Sequence, residues 1–387
     1  MRKSVLTSVL RVFVKLFFAV ACVVFTTAAA KANQLQPTVD VVFTVDLSGS
    51  TNGVIDDLRD KIWDINNQLN YIRPTPNIRY GVVGYGRPSF GAYNNFVKVI
   101  IPLTKDVDLI ADALYKIKSN IEKGDQFVGA ALRASIELMN WSSTDNGIKL
   151  IYIIGNGTVN LGAFDFREAY EMAQGKHIVI NSLYCYSDFR MREFMGWKEI
   201  AEQTGGEAMD IKVHKRLQQF NTVDDLEKLK VLARQLSSTY VYYGRSGFNR
   251  YKMMANIDRS ALESGQATLE AMLYHKISEG YQGKQSDWDL VDYIKAGRGN
   301  LNDINSEFLP DSLKKYNPEQ LRNQLIQLKD KRTKIIGQLR ELLPYERQTL
   351  VNKFNDSRAD EGGMVLERVF ITSLLKTLKE KEIILKN

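Results

Sequence analysis

The stretch that most constrains the fold runs from Val41 to Ser50 and reads VVFTVDLSGS. Its apolar, β-branched start, Val41 to Val45, ends abruptly in Asp46-Leu47-Ser48-Gly49-Ser50. A short continuous apolar run bounded by turn residues is the pattern of a strand buried on both faces, as in a parallel sheet covered by helices. At the carboxyl end of that strand Asp46, Ser48 and Ser50 alternate, so one carboxylate and two hydroxyls can converge on a point. Oxygen donors of this kind suit a hard cation such as Mg²⁺. In open α/β sheets, ligands sit outside the carboxyl ends of the strands. The plainer alternative is an ordinary turn in which Asp46 and Ser48 cap the next helix.

Downstream, strand-like and helix-like patterns alternate. Ile55, Leu58, Ile62, Ile65 and Leu69 recur at helical spacing, and Arg73-Pro74-Thr75-Pro76 breaks that helix. Ile78–Gly86 and Phe96–Thr104 read as a hairpin pair. Helices are expected over about 106–119 and 127–140, then a buried-type strand, Lys149–Ile154, ending in Gly155-Asn156-Gly157-Thr158. A helix near 165–174, a strand Ile178–Cys185, a helix near 192–203 stopped by Thr204-Gly205-Gly206, and a last strand Glu207–Val213 complete the series. Alternation of this kind specifies an α/β fold with a doubly wound, mostly parallel sheet.

The D-x-S-G-S at a strand end, this order of elements, and Ile200-Ala201-Glu202-Gln203-Thr204-Gly205-Gly206 together resemble the von Willebrand factor type A domain. The resemblance covers 38–213 and implies a metal-ion-dependent adhesion site built from three loops. The first loop matches fully, with Asp46, Ser48 and Ser50. The second normally presents Thr within G-G-T-x-x-G-x-A-L. Here Gly124-Asp125-Gln126-Phe127-Val128-Gly129-Ala130-Ala131-Leu132 puts Gln126 in that place, beside Asp125. The third normally presents Asp in D-G and reads Asn156-Gly157 here.

These departures remove a formal charge but keep carbonyl oxygens. The resemblance therefore implies Asp46, Ser48, Ser50, Asp125, Gln126 and Asn156 as ligands of Mg²⁺, Ca²⁺ or Mn²⁺, with a metal-free loop cluster as the alternative. Asp46, Ser48, Ser50, Gln126 and Asn156 would then face another protein, whose acidic side chain completes the coordination. The implied function is partner binding, adhesion or assembly without catalysis. The alternative function is an assembly protein acting through its C-terminal helices, with the sheet domain as a metal-free platform.

Charge and cysteine usage bear on location. The formal net charge is +7. Five positive charges (Arg2, Lys3, Arg11, Lys15 and Lys31) fall in residues 1–32, which hold no acid. That segment has a basic start, an apolar middle and an A-x-A ending at Ala32, the pattern of a secretory signal peptide, with a retained membrane anchor as the alternative. Without those five charges the remainder carries only +2, so nucleic acid is not an expected partner. The protein is expected to be exported: periplasmic, on the cell surface or secreted. Of two cysteines only Cys185 lies outside the segment, so no disulfide framework is expected. His177, His214 and His275 are scattered, and no G-x-S-x-G, P-loop or H-E-x-x-H is present, so no enzyme is expected.

Beyond Val213 the pattern turns helical. Residues 214–310 read as a helical extension on or from the sheet domain. Residues 311–387 read as a helical hairpin or coiled coil. Asn317-Pro318-Glu319 is a helix start followed by Leu321, Leu325, Leu328, Ile335, Ile336 and Leu339, and Met364–Leu385 carries a second apolar stripe. Such stripes bury against each other or against a second copy in a homo-oligomer.

Overall fold

The computed structural model of the chain describes residues 37–49, 52–70, 75–117, 122–143, 147–212, 226–297, 300–343, 370, 373–374, 376–378 and 380. The expected signal segment, Ser50 and His214 lie outside the described residues.

Six strands form one sheet: β1 (Thr38–Asp46), β2 (Asn77–Tyr85), β3 (Val97–Thr104), β4 (Ile148–Gly155), β5 (Val179–Tyr186) and β6 (Ala208–Lys212). Their order is β3-β2-β1-β4-β5-β6. Only β3 runs antiparallel, against β2. The helices between strands are α1 (Asn52–Leu69), α2 (Val107–Lys116), α3 (Val128–Glu137), α4 (Phe166–Gly175) and α5 (Met191–Gln203). The doubly wound sheet expected from the sequence is present; β2 to β6 lie within one residue of their expected bounds, and β1 begins three residues before the apolar run Val41–Val45.

Alternation along the strands explains why their sequences are almost continuously apolar. Val39, Val41, Phe43 and Val45 of β1, with Leu150, Tyr152 and Ile154 of β4, join a core under α1 and α2. Val42, Ile151 and Ile153 point the other way, into a core with α3, α4 and α5. A strand that serves two cores has no solvent face to be polar.

The helices after β6 enlarge the first core and build a smaller third one. They are α6 (Leu226–Ser237), α7 (Gly244–Ser264), α8 (Gln266–Ile277), α9 (Leu290–Lys295) and α10 (Pro318–Leu342). The sequence pattern runs helical from Asn249 to Tyr281 without a break. The structure divides it at Gly265, whose φ of +138° suits glycine and ends α7. Thr239–Gly244 makes a single bridge, Tyr242 with Asp289, and is a plug rather than a strand.

α8 lies on α1, where Asn67 Nδ2 donates to Ala271 O at 2.9 Å and Thr268 Oγ1 donates to Asp60 Oδ1 at 3.1 Å. α10 starts with the expected Asn317 cap, completed by Gln320 as a capping box. Its apolar stripe is buried within the chain. Leu321 and Leu325 pack with Val241, Leu290 and Leu301, and Ile335, Ile336 and Leu339 join the main core. Phe370 lies 4.8 Å from Tyr152 and 5.6 Å from Phe43, ring centre to ring centre, so its ring covers the central strands. Tyr152 Oη and Ser373 Oγ are hydrogen-bonded at 2.6 Å. A pairing of α10 with the whole of 364–385 lies outside the described residues.

Candidate functional site

β1 has parallel neighbours on both sides, β2 and β4. The chain leaves β1 toward β2 and crosses over from β3 to β4, so the winding reverses between β1 and β4. A doubly wound sheet opens a crevice at such a switch point, beyond the carboxyl ends of the strands. Asp46 is the last residue of β1, and Asn156 directly follows β4. Gln126 lies in the loop that precedes α3.

Asp46 is fully buried, and its Oδ1 accepts a hydrogen bond from Ser48 N at 2.8 Å. The loop after β1 is pinned on both sides: Leu47 N donates to Tyr85 O at 2.9 Å and Gly49 N to Glu122 O at 3.0 Å. Into this loop reaches the side chain of Gln126. Its Nε2 stands 2.8 Å from Asp46 Oδ2, 2.9 Å from Ser48 Oγ and 2.9 Å from Asn156 Oδ1. Three loops far apart in sequence thus meet at one amide nitrogen.

Two glycines permit the approach. Gly86 has φ +82°, and a Cβ there would lie 2.7 Å from Asp46 Oδ1. At Gly155 a Cβ would sit 2.1 Å from Tyr85 Oη and 3.1 Å from Asp46 Cβ.

Burial pushes the Asp46 carboxyl up to about 6, because the charged form loses its hydration. The hydrogen bonds of Ser48 and the charge of Arg87 act in the opposite direction. Arg87 is buried beside this loop, donating from Nε to Leu47 O at 2.7 Å, with Nη1 3.9 Å from Glu122 Oε1. Burial also lowers the guanidinium's affinity for its proton, against the pull of Glu122. Sequence reasoning passed over Arg87. The available signal was a cation placed directly after the strand end at Tyr85-Gly86, on the neighbour of the motif strand.

Of the six expected ligands, the structure brings together Asp46, Ser48, Gln126 and Asn156. Asp125 is exposed, and none of the cluster's hydrogen bonds described above involves it. Ser50 lies outside the described residues. The arrangement tests whether a divalent ion fits. Such an ion needs oxygen donors, and three oxygens do point inward. The second loop, however, presents an N–H group, which has no lone pair to offer. As the side chains stand, they do not fit a divalent ion. Among the described residues no cluster of three or more His, Cys, Asp or Glu side chains is placed to hold one elsewhere.

Among the described residues, neither His177 nor His275 is part of this cluster. His177 occupies the turn before β5, and His275 is buried on α8, 3.3 Å from Asn66 and 3.8 Å from Asp108.

A three-layer, doubly wound domain with a polar loop cluster at its switch point is a ligand-binding class of fold. The family model described as von Willebrand factor type A domain matches residues 40–228, and this part of the chain belongs to that family. Domains of the family hold a divalent metal at the adhesion site and are typically interaction modules without enzymatic activity.

Solved structures are similar over about the same extent. The conserved hypothetical protein BatB from Bacteroides thetaiotaomicron is 17% identical, with 46% of this chain and 90% of that one covered at a TM-score of 0.34. The pilus adhesin SpaC from Lactobacillus rhamnosus GG, in its open conformation, is 13% identical, with 46% and 28% covered at 0.35. Proximal thread matrix protein 1 from the mussel byssus, with a zinc-occupied MIDAS motif, is 16% identical, with 45% and 44% covered at 0.33. No curated protein matches the chain. Among the described residues no helix is long and apolar enough to cross a membrane.

Proposed function

We propose that the protein, exported by its N-terminal segment, binds a partner protein at the carboxyl edge of the sheet and performs no chemistry there. One observation carries this reading. Three separate loops converge at the switch point and fix Asp46, Ser48, Gln126 and Asn156 in one hydrogen-bonded cluster.

The same edge carries an apolar flank. β5 leads through exposed Phe189 into α5, whose Met191 and Met195 are 61% and 51% exposed and lie one helical turn apart. Trp197 Nε1 donates to Gly157 O at 2.9 Å, which holds α5 against the loop bearing Asn156. A polar centre beside exposed methionine and phenylalanine side chains has the composition of a protein interface. The alternative, assembly through the C-terminal helices, has less support because the stripe of α10 is covered inside the chain.

The test compares residues 33–387 of wild type, Asp46→Ala and Met191→Glu/Met195→Glu as bait in envelope extracts of the producing cell. A protein retained by wild type and lost with both variants supports the reading. Identical retention by all three overturns it.

A further inference from the structure

We propose that the side-chain amide of Gln126 takes the place of the metal ion in this domain, so that the three loops are joined by a neutral internal group and need no cation. The first support is geometry. Nε2 lies within 2.9 Å of a carboxylate oxygen, a hydroxyl oxygen and an amide oxygen, each from a residue that the family resemblance assigns to the metal. An amide nitrogen carries two hydrogens. It bonds two of these oxygens directly and shares a hydrogen with the third.

The second support is orientation. Turned over, the amide would bring Oε1 against the Asp46 carboxylate and the Asn156 carbonyl oxygen, at contacts near 3 Å between like partial charges. The acceptors themselves therefore hold the nitrogen inward. The third support is charge. A divalent ion is balanced by several carboxylates, whereas a neutral amide is not. Asn156 in place of an aspartate removes the charge that would otherwise be left uncompensated. Arg87 supplies a positive field to the one carboxylate that remains. The two departures at residues 126 and 156 are thus one coupled change: the first fills the ion's position, and the second adjusts the charge around it.

One consequence rests on the partner-binding reading. A cation gives an incoming carboxylate something to bind, whereas this cluster presents only the uncharged, half-buried side chains of Gln126 and Asn156 above a buried Asp46. The partner's contact group is therefore a hydrogen-bond donor or an apolar side chain rather than an acid.

The experiment is calorimetric titration of MgCl₂ and MnCl₂ into EDTA-treated protein, residues 33–387, with melting temperatures measured in parallel. The proteins are wild type, Gln126→Thr/Asn156→Asp, the same double variant with Asp46→Ala, and Gln126→Glu. The expected result is no saturable heat for wild type and a Tm that moves by less than about 1 °C between EDTA and millimolar Mg²⁺. The double variant should gain saturable binding that Asp46→Ala removes, with a rise in Tm of about 3 °C or more at saturation. Gln126→Glu, which places a second carboxylate at the same point, should melt lower in EDTA and recover with Mg²⁺.

Saturable binding by wild type overturns the proposal, as does a folded double variant that binds neither ion. If the double variant does not fold, the wild-type titration and Gln126→Glu decide. A metal-inert protein that also captures no edge-dependent partner would defeat the binding reading and leave this inference standing.

Discussion

β1 buries a carboxylate near each end, and the two are treated differently. Asp40 and Asp46 are both fully buried and share a strand face, since side chains alternate along a strand. Asp40 faces a matched cation. Arg79 Nε and Nη2 donate to its two oxygens at 2.7 and 2.6 Å, and Ser142 N donates at 2.7 Å. Asp46 receives the Gln126 amide, the Ser48 backbone N–H and the Ser48 hydroxyl, with Arg87 near and donating to Leu47 O. A bidentate guanidinium fixes a buried carboxylate as a closed structural unit. At the other carboxylate burial raises the proton affinity, and the hydrogen bonds of Ser48 and the charge of Arg87 offset this only in part. The amino end of the strand is finished; the carboxyl end is poised.

The largest effect that sharpens this contrast is expected at Arg79. Arg79→Met leaves Asp40 buried with its charge unmatched, and urea unfolding should show a loss of about 3–5 kcal/mol. A loss below about 1 kcal/mol would break the comparison. Next comes Gln126→Leu, which removes a donor from three inward oxygens, one of them on a carboxylate. Its expected cost is about 1–3 kcal/mol by the same measurement.

The pH response should separate the two ends further. Asp46 has a folded-state value of about 6 against an ordinary 3.8, so its contribution is full below 3.8 and is lost as pH rises through about 6. Lowering pH from 7 to 5 should therefore stabilise wild type relative to Asp46→Asn by about 1 kcal/mol. No pH-dependent difference between the two proteins would place the Asp46 carboxyl back in the ordinary range.

The smallest effect is a control on burial itself. Arg167 and Glu199 repeat the two-pronged geometry on the surface, at 3.0 and 3.3 Å, with both side chains substantially exposed. Arg167→Ala should cost under about 1 kcal/mol. A cost near that of Arg79→Met would mean that geometry rather than burial sets the energy.

Much of this molecule is legible in its sequence. The apolar runs at 41–45 and 149–154, the Gly205-Gly206 stop and the Asn317-Pro318 start each report a local requirement of backbone or burial. The loop residues Asp46, Ser48, Gln126 and Asn156 were likewise visible through the family resemblance, including the two that depart from it. Arg87 was passed over: its place directly after the Tyr85-Gly86 strand end was visible, but no local pattern shows that its guanidinium bonds the buried Leu47 carbonyl. The split at Gly265 was also missed, because a single glycine is tolerated inside a helical pattern.

The sequence by itself determined which segments are strands, which faces they bury, and that the motif strand ends in oxygen-bearing side chains. Periodicity and turn chemistry act over a few residues, so a chain states them directly. Only the tertiary structure decided that Asp125 is exposed while Gln126 turns inward, and that its nitrogen rather than its oxygen occupies the centre. That choice depends on the positions of Asp46 and Asn156, 80 and 30 residues away along the chain. The strand order and the crossover at the switch point bring them together, and no local signal encodes a distance set by the whole sheet.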